Sequence, residues 1–318
     1  MSGASPIQWT DATWNPVRGC SRVSEGCRNC YAERVTARFS GPGKPFEGFA
    51  HRVGGEARWT GKVELVPKAL DWPLRRRKPL RIFVNSMSDL FHESLSGEAI
   101  AAVFGVMACA PQHTFQVLTK RPERMQQWCL GMTEAHAADL GARFIMSASL
   151  HAAPVNYPHT LNVPALWPLP NVWLGVSVED QTTADERIPL LLATPAGKRF
   201  VSYEPALGPV DFRLAWLSPF VDYTPAMDRT ARLDWIIVGG ESGPGARPFD
   251  VAWARRTIYH GIADGVPVFV KQLGAFPVTE REVGTAKGGS HVPLHLRDSH
   301  GGDPGEWPED LRWREFPS

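Results

Sequence analysis

Three cysteines crowd into one short stretch of the sequence, and their spacing is the pattern that points most directly to chemistry. Cys20, Cys27 and Cys30 form a C-x6-C-x2-C arrangement. Three thiolates on one loop can wrap a single inorganic centre, and cysteine is the usual protein ligand of an iron–sulfur cluster. A [4Fe–4S] cluster has four irons, so three cysteines leave one iron open. The spacing therefore predicts a [4Fe–4S] cluster that can bind a further ligand.

The same cysteines could instead hold zinc. C-x2-C is half of a zinc site, and His51 or His92 could complete a structural tetrahedron. The sequence contains no second C-x2-C pair, although zinc sites of this kind commonly use two. Zinc therefore remains the alternative to an iron–sulfur cluster.

The other two cysteines and the composition of the chain indicate the class of protein and its cellular compartment. Cys109 and Cys129 stand in apolar stretches of helical character, where packing is the expected role of a free thiol. Five cysteines in 318 residues do not form a disulfide framework. The start of the chain lacks the features of a secretory signal, and no apolar run has the length of a membrane span. We therefore expect a cytoplasmic protein with no membrane partner.

The elements that must position these residues alternate between strands and helices. With a net charge of +1 and 43% hydrophobic residues, the chain is predicted to be globular. Apolar β-rich runs predict strands at 7–14, 80–85, 114–119, 172–177, 199–203, 235–239 and 266–271. Helical periodicity predicts helices at 96–109, 122–130, 183–193 and 251–263. This order predicts an α/β fold with parallel strands, either an open doubly wound sheet or a full or partial (β/α) barrel of about six to seven strands.

Some stretches interrupt this alternation. Residues 39–79 and 151–170 are rich in Pro, with Gly and basic residues or His, and are predicted to be insertions or long loops. We therefore expect a barrel over residues 1–275 with these two insertions. Residues 276–318 are expected to form a C-terminal extension packed on the barrel.

Polar residues follow the predicted strands, where parallel strands end at one edge of a sheet. This recurrence predicts a shared cavity. The residues at these ends include Asn85, Ser86, Asp89, Lys120, Arg121, Ser177, Glu179, Asp180, Tyr203, Glu204, Gly239, Gly240, Glu241, Ser242, Lys271 and Gln272.

A three-cysteine loop after the first strand, with its last cysteine followed by Tyr31, resembles the radical S-adenosylmethionine (SAM) superfamily. The usual spacing there is C-x3-C-x2-C, and the first gap is longer here, as in some members. More specifically, several segments between residues 7 and 248 together resemble a phage-associated bacterial family of unassigned function. These segments are IQWTDATWNPVRGC, CRNCYAE, FVNSMSDLFHE, VLTKRPERM, LGVSVEDQ, SYEPALGPV and WIIVGGESGPGARP.

The radical SAM resemblance implies a reaction and its cofactors. SAM would chelate the open iron, a donor such as a flavodoxin or ferredoxin would reduce the cluster, and a 5′-deoxyadenosyl radical would attack the substrate. Ser86, Ser88 and Asp89 stand where related barrels bind the amino group of SAM.

The remaining strand ends supply further candidates for the cofactor and the chemistry. Lys120 could pair with the SAM carboxylate or a substrate phosphate, and Ser177 and Glu179 could bind ribose hydroxyls. The glycine-dense turn at Gly239, Gly240 and Glu241 could form a wall for adenosine, with Glu204 beside it. By position alone, Tyr203 and Lys271 are candidate catalytic residues, as radical-path groups or proton donors, and Tyr31 is a further candidate for the same role.

Two features of the sequence bear on the class of substrate. A basic run at residues 73–79 and twelve tryptophans would suit a nucleic-acid or nucleotide substrate, with modification or repair as the reaction. Two other function classes remain open. One is a zinc-stabilised nucleic-acid-binding protein without catalysis, and the other is a barrel hydrolase or transferase that works from Glu204, Asp89 and Lys120.

Overall fold

The computed structural model describes residues 2–134, 167–212, 214–218, 231–280 and 291–318. Its strands are β1 (Gly3–Ala4), β2 (Ala12–Trp14), β3 (Val17–Arg18), β4 (Ala50–Val53), β5 (Glu56–Trp59), β6 (Glu64–Leu65), β7 (Arg81–Val84), β8 (Thr114–Thr119), β9 (Val172–Val178), β10 (Lys198–Tyr203), β11 (Trp235–Gly239), β12 (Phe249–Asp250), β13 (Val268–Gln272), β14 (Pro277–Glu280) and β15 (His291–Pro293). Its α-helices are α1 (Tyr31–Arg38), α2 (Pro67–Leu70), α3 (Gly97–Ala108), α4 (Pro122–Glu134), α5 (Gln181–Leu192), α6 (Leu214–Leu217) and α7 (Val251–Asp264).

The main sheet has eight strands in the order β1-β2-β7-β8-β9-β10-β11-β13. The pairs β2–β7, β7–β8, β10–β11 and β11–β13 are parallel, and β1 is antiparallel to β2. The predicted α/β class with a mostly parallel sheet is therefore confirmed. The order ends at two different strands, so a full barrel is not seen among the residues that the structure describes.

The predicted strands and helices are observed, with shifted ends that have local causes. The strand predicted at 7–14 begins only at Ala12, because the Thr10 amide donates to the Ile7 carbonyl in a turn. The last predicted strand starts at Val268, after Pro267, which has no amide hydrogen to give to a ladder. Helix α3 begins after Ser96, whose side chain accepts from the Ala99 amide.

The first predicted insertion contains secondary structure of its own. Residues 39–79 hold the β4–β5 hairpin, β6 and α2, so this stretch is a structured insertion rather than a long loop. Most of the second predicted insertion, 151–166, lies outside the described residues.

The chain divides into two compact units. The first comprises Met1–Ser24, Cys30–Gly175 and Thr194–Lys198, and the second comprises Glu25–Asn29, Val176–Ala193 and Arg199–Ser318. In the first unit, Phe91, Phe104 and Trp128 form an aromatic cluster, with ring centroids 4.6–6.5 Å apart. In the second, Trp235 and Phe269 pack at 6.1 Å within the strands β11 and β13.

The last residues of the described chain run along β13. The Val270 amide donates to the Trp313 carbonyl at 2.8 Å, and the Glu315 amide donates to the Val268 carbonyl at 2.9 Å. Arg314 lies opposite Phe269 in an antiparallel bridge. These bonds cover the outer side of the last strand in the sheet, which would otherwise expose unpaired backbone groups.

Within the described ranges, no helix combines the length and apolar character needed to cross a membrane.

Candidate functional site

The cysteine loop leaves β3 and ends where α1 begins. Gly19 opens it with φ +86°, and a Cβ there would lie 1.9 Å from the Lys62 carbonyl oxygen, so only glycine fits. Residues 25–27 form a 3₁₀ turn, and Cys30 immediately precedes α1. Cys20, Cys27 and Cys30 form no disulfide within the described chain and are half-buried. Among the residues described, no three His, Cys, Asp or Glu side chains are already grouped to hold a metal ion.

Of the two remaining cysteines, Cys129 is buried and Cys109 is half-buried. Burial raises the pKa of the Cys109 thiol to about 11 and raises the pKa of Cys129 further. Because the thiolate is the form that binds metals, both groups are held as protonated thiols near neutral pH. The donor set suited to an iron–sulfur cluster is therefore the set of three cysteines on the loop.

Arg121 holds the beginning of the loop within the first unit. Its Nη2 donates to Ser21 Oγ at 2.7 Å and to the Ser21 carbonyl at 3.3 Å. Burial acts to lower the pKa of Arg121, but the nearby Asp89 and Cys20 raise it, and the net shift is upward. A permanently charged guanidinium beside Cys20 fits a loop that carries thiolate ligands.

Asp89, predicted to bind SAM, is occupied by protein donors. Its Oδ1 accepts from Thr119 Oγ1 at 2.7 Å, and its Oδ2 accepts from the Lys120 amide and Arg121 Nη1, both at 3.1 Å. The Phe91 amide donates to Oδ1 as well. The structure thus brings together Asp89 and Lys120 from two strand ends, and it uses Asp89 to order the turn after β8.

His92 contacts the same part of the loop. Its Nε2 lies 2.8 Å from Ser21 Oγ, and its Nδ1 accepts from the Ser94 amide at 3.1 Å. An Nδ1 that accepts carries no proton, so the ring is neutral. Burial, followed by the charge of Arg121, lowers the pKa of His92 in agreement with this. His92, a candidate zinc ligand by sequence, is therefore engaged as a support for Ser21.

The next residue of the loop is held by a buried carboxylate. Arg22 forms two bonds with Glu33, 2.5 Å from Nη2 and 2.9 Å from Nε to the same oxygen. Glu33 Oε1 also accepts from the Trp59 amide at 2.8 Å, on the hairpin of the first insertion. The structured insertion therefore supports helix α1 and the loop that precedes it.

In the second unit, Glu241 holds the middle of the loop. Glu241 accepts from Asn29 Nδ2 at 3.0 Å and from Arg247 Nη2 at 2.7 Å, and Arg247 also donates to the Glu25 carbonyl at 3.0 Å. Burial acts to raise the pKa of Glu241, but the bonds from Arg247 and Asn29 outweigh it and the pKa is lowered. Glu241, predicted to line an adenosine site, is thus ionised and fixes residues 25–29 through its bonds to Asn29 and Arg247.

Glu179 approaches the same stretch. Its side chain is almost fully buried, and Arg187 Nη1 donates to both of its oxygens at 3.3–3.4 Å. A Cβ on Gly26 would lie 2.4 Å from Glu179 Oε1. The absence of a side chain at Gly26 therefore allows the turn that carries Cys27 to pass directly over this carboxylate.

Ser86 and Ser88, the other predicted ligands of the SAM amino group, are bonded within the first unit. Ser86 Oγ donates to Asn15 Oδ1 at 3.2 Å, and the Ser86 carbonyl accepts from the Tyr31 hydroxyl at 2.5 Å. Ser88 Oγ donates to the Val17 carbonyl at 3.0 Å. Both serines tie the end of β7 to the residues around the cysteine loop.

Asn85 supports the cysteine loop, although its place after a strand predicts no specific role. It adopts φ +61°, the left-handed region, and it is buried at the carboxyl end of β7. Its Oδ1 accepts from the Val17 amide at 3.2 Å, whereas its Nδ2 has no hydrogen-bond partner among the described residues. An asparagine directly after a strand is the sequence feature that could have predicted this left-handed conformation, because asparagine tolerates it better than most other residues with side chains.

Glu204 and Lys271 meet in the second unit. Lys271 Nζ donates to Glu204 Oε1 at 2.5 Å, and Gln272 Nε2 donates to the same oxygen at 3.1 Å. The Glu204 carbonyl accepts from Ser177 Oγ at 3.0 Å. The structure therefore brings three of the predicted site residues, Ser177, Glu204 and Lys271, into one hydrogen-bonded group.

Tyr203 is buried beside this group. Its hydroxyl donates to the Gly208 carbonyl, and burial raises its pKa. Its predicted role as a radical-path or proton-donating residue rests on position alone, and its hydroxyl is already engaged with backbone.

The glycine-dense turn has a packing reason for its first two glycines. A Cβ on Gly240 would lie 2.5 Å from the Leu273 carbonyl oxygen, and one on Gly239 would lie 3.3 Å from that of Gln272. These distances explain Gly239 and Gly240 by close approach of β11 to β13, without reference to a ligand.

A pair of histidines in the sequence bears on the zinc alternative, contrary to the expectation that no H-x3-H partner is present. His291 and His295 form an H-x3-H pair on the C-terminal segment, and both are exposed. His291 Nε2 lies 3.1 Å from Asp250 Oδ2. Neither histidine belongs to a metal-binding group within the described chain.

Comparison with known proteins gives one match. A family model described as protein of unknown function (DUF5131) matches residues 4–298. No curated protein and no solved structure matches the chain.

Proposed function

The chain belongs to DUF5131, a family of proteins of unknown function, and we propose that it is a radical SAM iron–sulfur enzyme. The observation that carries this proposal is the contrast between its cysteines. Cys20, Cys27 and Cys30 share one anchored loop and form no disulfide within the described chain, whereas burial raises the pKa of Cys109 and Cys129. A loop with three thiolate donors suits a [4Fe–4S] cluster with one open iron better than it suits a four-ligand structural zinc site.

The chain's own residues would hold and screen the loop. Cys20, Cys27 and Cys30 would bind the cluster, and the Arg121 guanidinium would offset thiolate charge near Cys20. Arg22–Glu33 and Arg247–Glu241 would restrict the loop with bonds of 2.5–2.7 Å. Pre-ordered supports of this kind orient metal ligands and tune their basicity.

When bound at Cys20, Cys27 and Cys30, a reduced [4Fe–4S] cluster would supply the one electron that cleavage of the sulfur–C5′ bond of SAM needs, and this cleavage would provide the means to abstract hydrogen from a substrate. The electron would come from a flavodoxin or ferredoxin. In the first unit, the candidates for holding SAM are Ser86, Ser88, Asp89 and Lys120. In the second unit, they are Ser177, Glu179, Glu204 and the turn at Gly239–Glu241. Ser86 Oγ and Ser88 Oγ have protein partners that a bound ligand would have to share or displace.

Anaerobic reconstitution tests the cluster. We expect a brown protein with about four irons per chain. Cys20→Ala, Cys27→Ala and Cys30→Ala should each lose most of the iron, while Cys109→Ala should retain it. Stoichiometric zinc after purification, or iron retained by the triple alanine variant, would reject the proposal.

A second measurement tests the reaction. The reconstituted protein, supplied with dithionite and SAM, should release 5′-deoxyadenosine, and the Cys27→Ala variant should not. Substrates would then be sought among DNA, RNA and nucleotides. Activity on any of them that survives replacement of all three cysteines would favour the hydrolase or transferase alternative instead.

A further inference from the structure

A dense basic segment lies outside the candidate site. Residues 75–78 are four consecutive exposed cations, Arg75, Arg76, Arg77 and Lys78. With Lys68 and Asp71, the stretch 68–78 has a net charge of +4, although the whole chain carries only +1. The charge of the molecule is therefore strongly concentrated on this segment.

The cations of the segment are mostly uncompensated. Arg75 pairs with Asp71 at 3.1 Å, but no carboxylate of the described chain pairs with Arg76, Arg77 or Lys78. Elsewhere many arginines form ion pairs, including Arg22, Arg58, Arg81, Arg121, Arg187, Arg247, Arg255 and Arg256. Positive charges that no carboxylate of the described residues neutralises are available to an external anion.

The backbone beneath these side chains is fixed. Pro73 is buried, and its carbonyl lies 3.1 Å from His113 Nε2. The Arg76 carbonyl accepts from Gln112 Nε2 at 2.9 Å. The Arg76 guanidinium also lies over the Trp72 ring, 4.9 Å from its centroid. A ligand that binds here meets cations whose backbone is already ordered, which lowers the entropic cost of binding.

The chemistry of the segment favours nucleic acid over a membrane surface. Arginine presents a planar fork that matches phosphate oxygens, and it can stack while doing so. A membrane-surface element would also expose large apolar side chains. Trp72, Leu74 and Leu80 are only partly exposed, and none of them is among the exposed large hydrophobic residues of the described chain.

The position of the segment defines its role. It precedes β7, and Gln112 and His113 precede β8, whereas Asp89 and Lys120 follow these strands. The six residues of β8 span roughly 17–20 Å, so the segment and the candidate site lie at opposite ends of the strands in this unit. Contacts here would hold a nucleic-acid backbone without reading bases at the candidate site.

We propose that residues 75–78 form a sequence-independent docking site for the phosphate backbone of a nucleic acid. This inference deepens the nucleic-acid substrate class named above, but it needs neither the cluster nor SAM. It therefore stands or fails independently of the radical chemistry.

Fluorescence anisotropy with labelled single- and double-stranded oligonucleotides of about 30 nucleotides tests the proposal. The variant Arg76→Gln/Arg77→Gln/Lys78→Gln should bind at least about tenfold more weakly at low salt. Its slope of log K against log salt should be shallower by about 2 to 3, because three phosphate contacts are lost. The measurement uses the protein without a reconstituted cluster or SAM, so its outcome does not depend on the radical chemistry.

A matched control removes the same charge elsewhere. Lys44→Gln/Arg52→Gln/Arg297→Gln changes three exposed cations distant in sequence, and it should leave the salt slope unchanged. An equal loss in this control, or no binding by the parent protein, would overturn the proposal. Binding to phosphatidylglycerol vesicles with no binding to either oligonucleotide would overturn it in favour of a membrane surface.

Discussion

At the scale of single residues, buried charges in the candidate site are paired before any ligand arrives. Arg121 bonds Asp89 at 3.1 Å and Glu93 at 2.8 Å, and only Glu93 is largely exposed. Removing one member of a buried pair leaves the other charge uncompensated in a poorly solvated place. Such residues combine a supporting role with any role in chemistry, so stability has to be measured beside activity.

We expect Asp89→Ala to lower the free energy of unfolding by about 3 kcal/mol, because it removes the buried acceptor of Thr119 Oγ1 and Arg121 Nη1 and leaves Arg121 only the exposed Glu93 as a charged partner. Urea denaturation of the purified protein measures this. Asp71→Ala is the control, because Asp71 is only partly covered and pairs with an exposed Arg75, so this ion pair should contribute less than about 1 kcal/mol. Equal losses of unfolding free energy in the two variants would show that the burial of an ion pair does not determine how much its removal destabilises the protein.

The cysteines should separate by their reaction with iodoacetamide in the apo protein. Cys109, with a pKa of about 11, should alkylate slowly at neutral pH. Below that pKa its thiolate fraction rises tenfold with each pH unit, so its labelling should accelerate as pH increases. Peptide mapping by mass spectrometry compares it with Cys27 in the cysteine loop. Labelling of Cys109 as fast as Cys27 near pH 7 would contradict the assignment.

At the scale of elements, the sequence predicted strands and helices well because their signals are local. The apolar runs at β9 and β11 are buried throughout. The side chains of Ser96 and Asp180 accept hydrogen bonds from the first turns of α3 and α5 and so cap these helices. The contacts of the site were not predictable in this way. Asn29 bonds Glu241 across 212 positions of sequence, and no local pattern encodes that pairing.

The position of a polar residue at a strand end was not enough to predict its role, and the reason is physical. A polar side chain after a strand can face a ligand or satisfy a neighbouring loop, and the sequence is the same in both cases. Asp89 and Glu241 hold loops through several bonds each, and Tyr203 bonds a backbone carbonyl. Their assignment to cofactor binding or catalysis therefore remains a proposal.

Glycines in two elements should respond oppositely to alanine. Gly240→Ala places a Cβ 2.5 Å from a backbone oxygen that cannot rotate away, and we expect a loss of about 1–3 kcal/mol. Gly131 lies in α4, and outside its own helix backbone an added Cβ would meet no atom of the described residues within 4 Å, so Gly131→Ala should stabilise by about 0.5–1 kcal/mol. Thermal and urea unfolding of both variants provide the comparison. Stabilisation by Gly240→Ala would refute the close approach of β11 and β13.

At the scale of the whole molecule, an edge of the main sheet depends on residues far along the chain. Residues 313–315 pair with β13, and Trp235 Nε1 donates to the Glu315 carbonyl at 2.9 Å. Phe316 adds ring contacts with Trp235 and Phe269 at 5.5 and 5.2 Å. This short segment thus supports both the backbone and the core of the second unit.

Deletion of residues 313–318 should therefore cost on the order of 3 kcal/mol, since hydrogen bonds contribute about 1 kcal/mol each and the Phe316 ring is lost as well. It should also promote aggregation through the bared strand. Light scattering during heating and urea unfolding measure the two effects. Deletion of only Pro317 and Ser318 serves as the control and should change neither.

Because residues 313–315 are synthesised well after β13, the edge of the sheet stays uncovered for part of the synthesis of the chain. About 40 residues separate Gln272 from Trp313, and at roughly 5–20 residues per second the ribosome needs about 2–8 s to make them. During that interval β13 has emerged but its cover has not. Nascent chains that stall or terminate within this window would present a hydrophobic strand to one another, so translation speed and chaperone supply should govern the yield of the protein in cells.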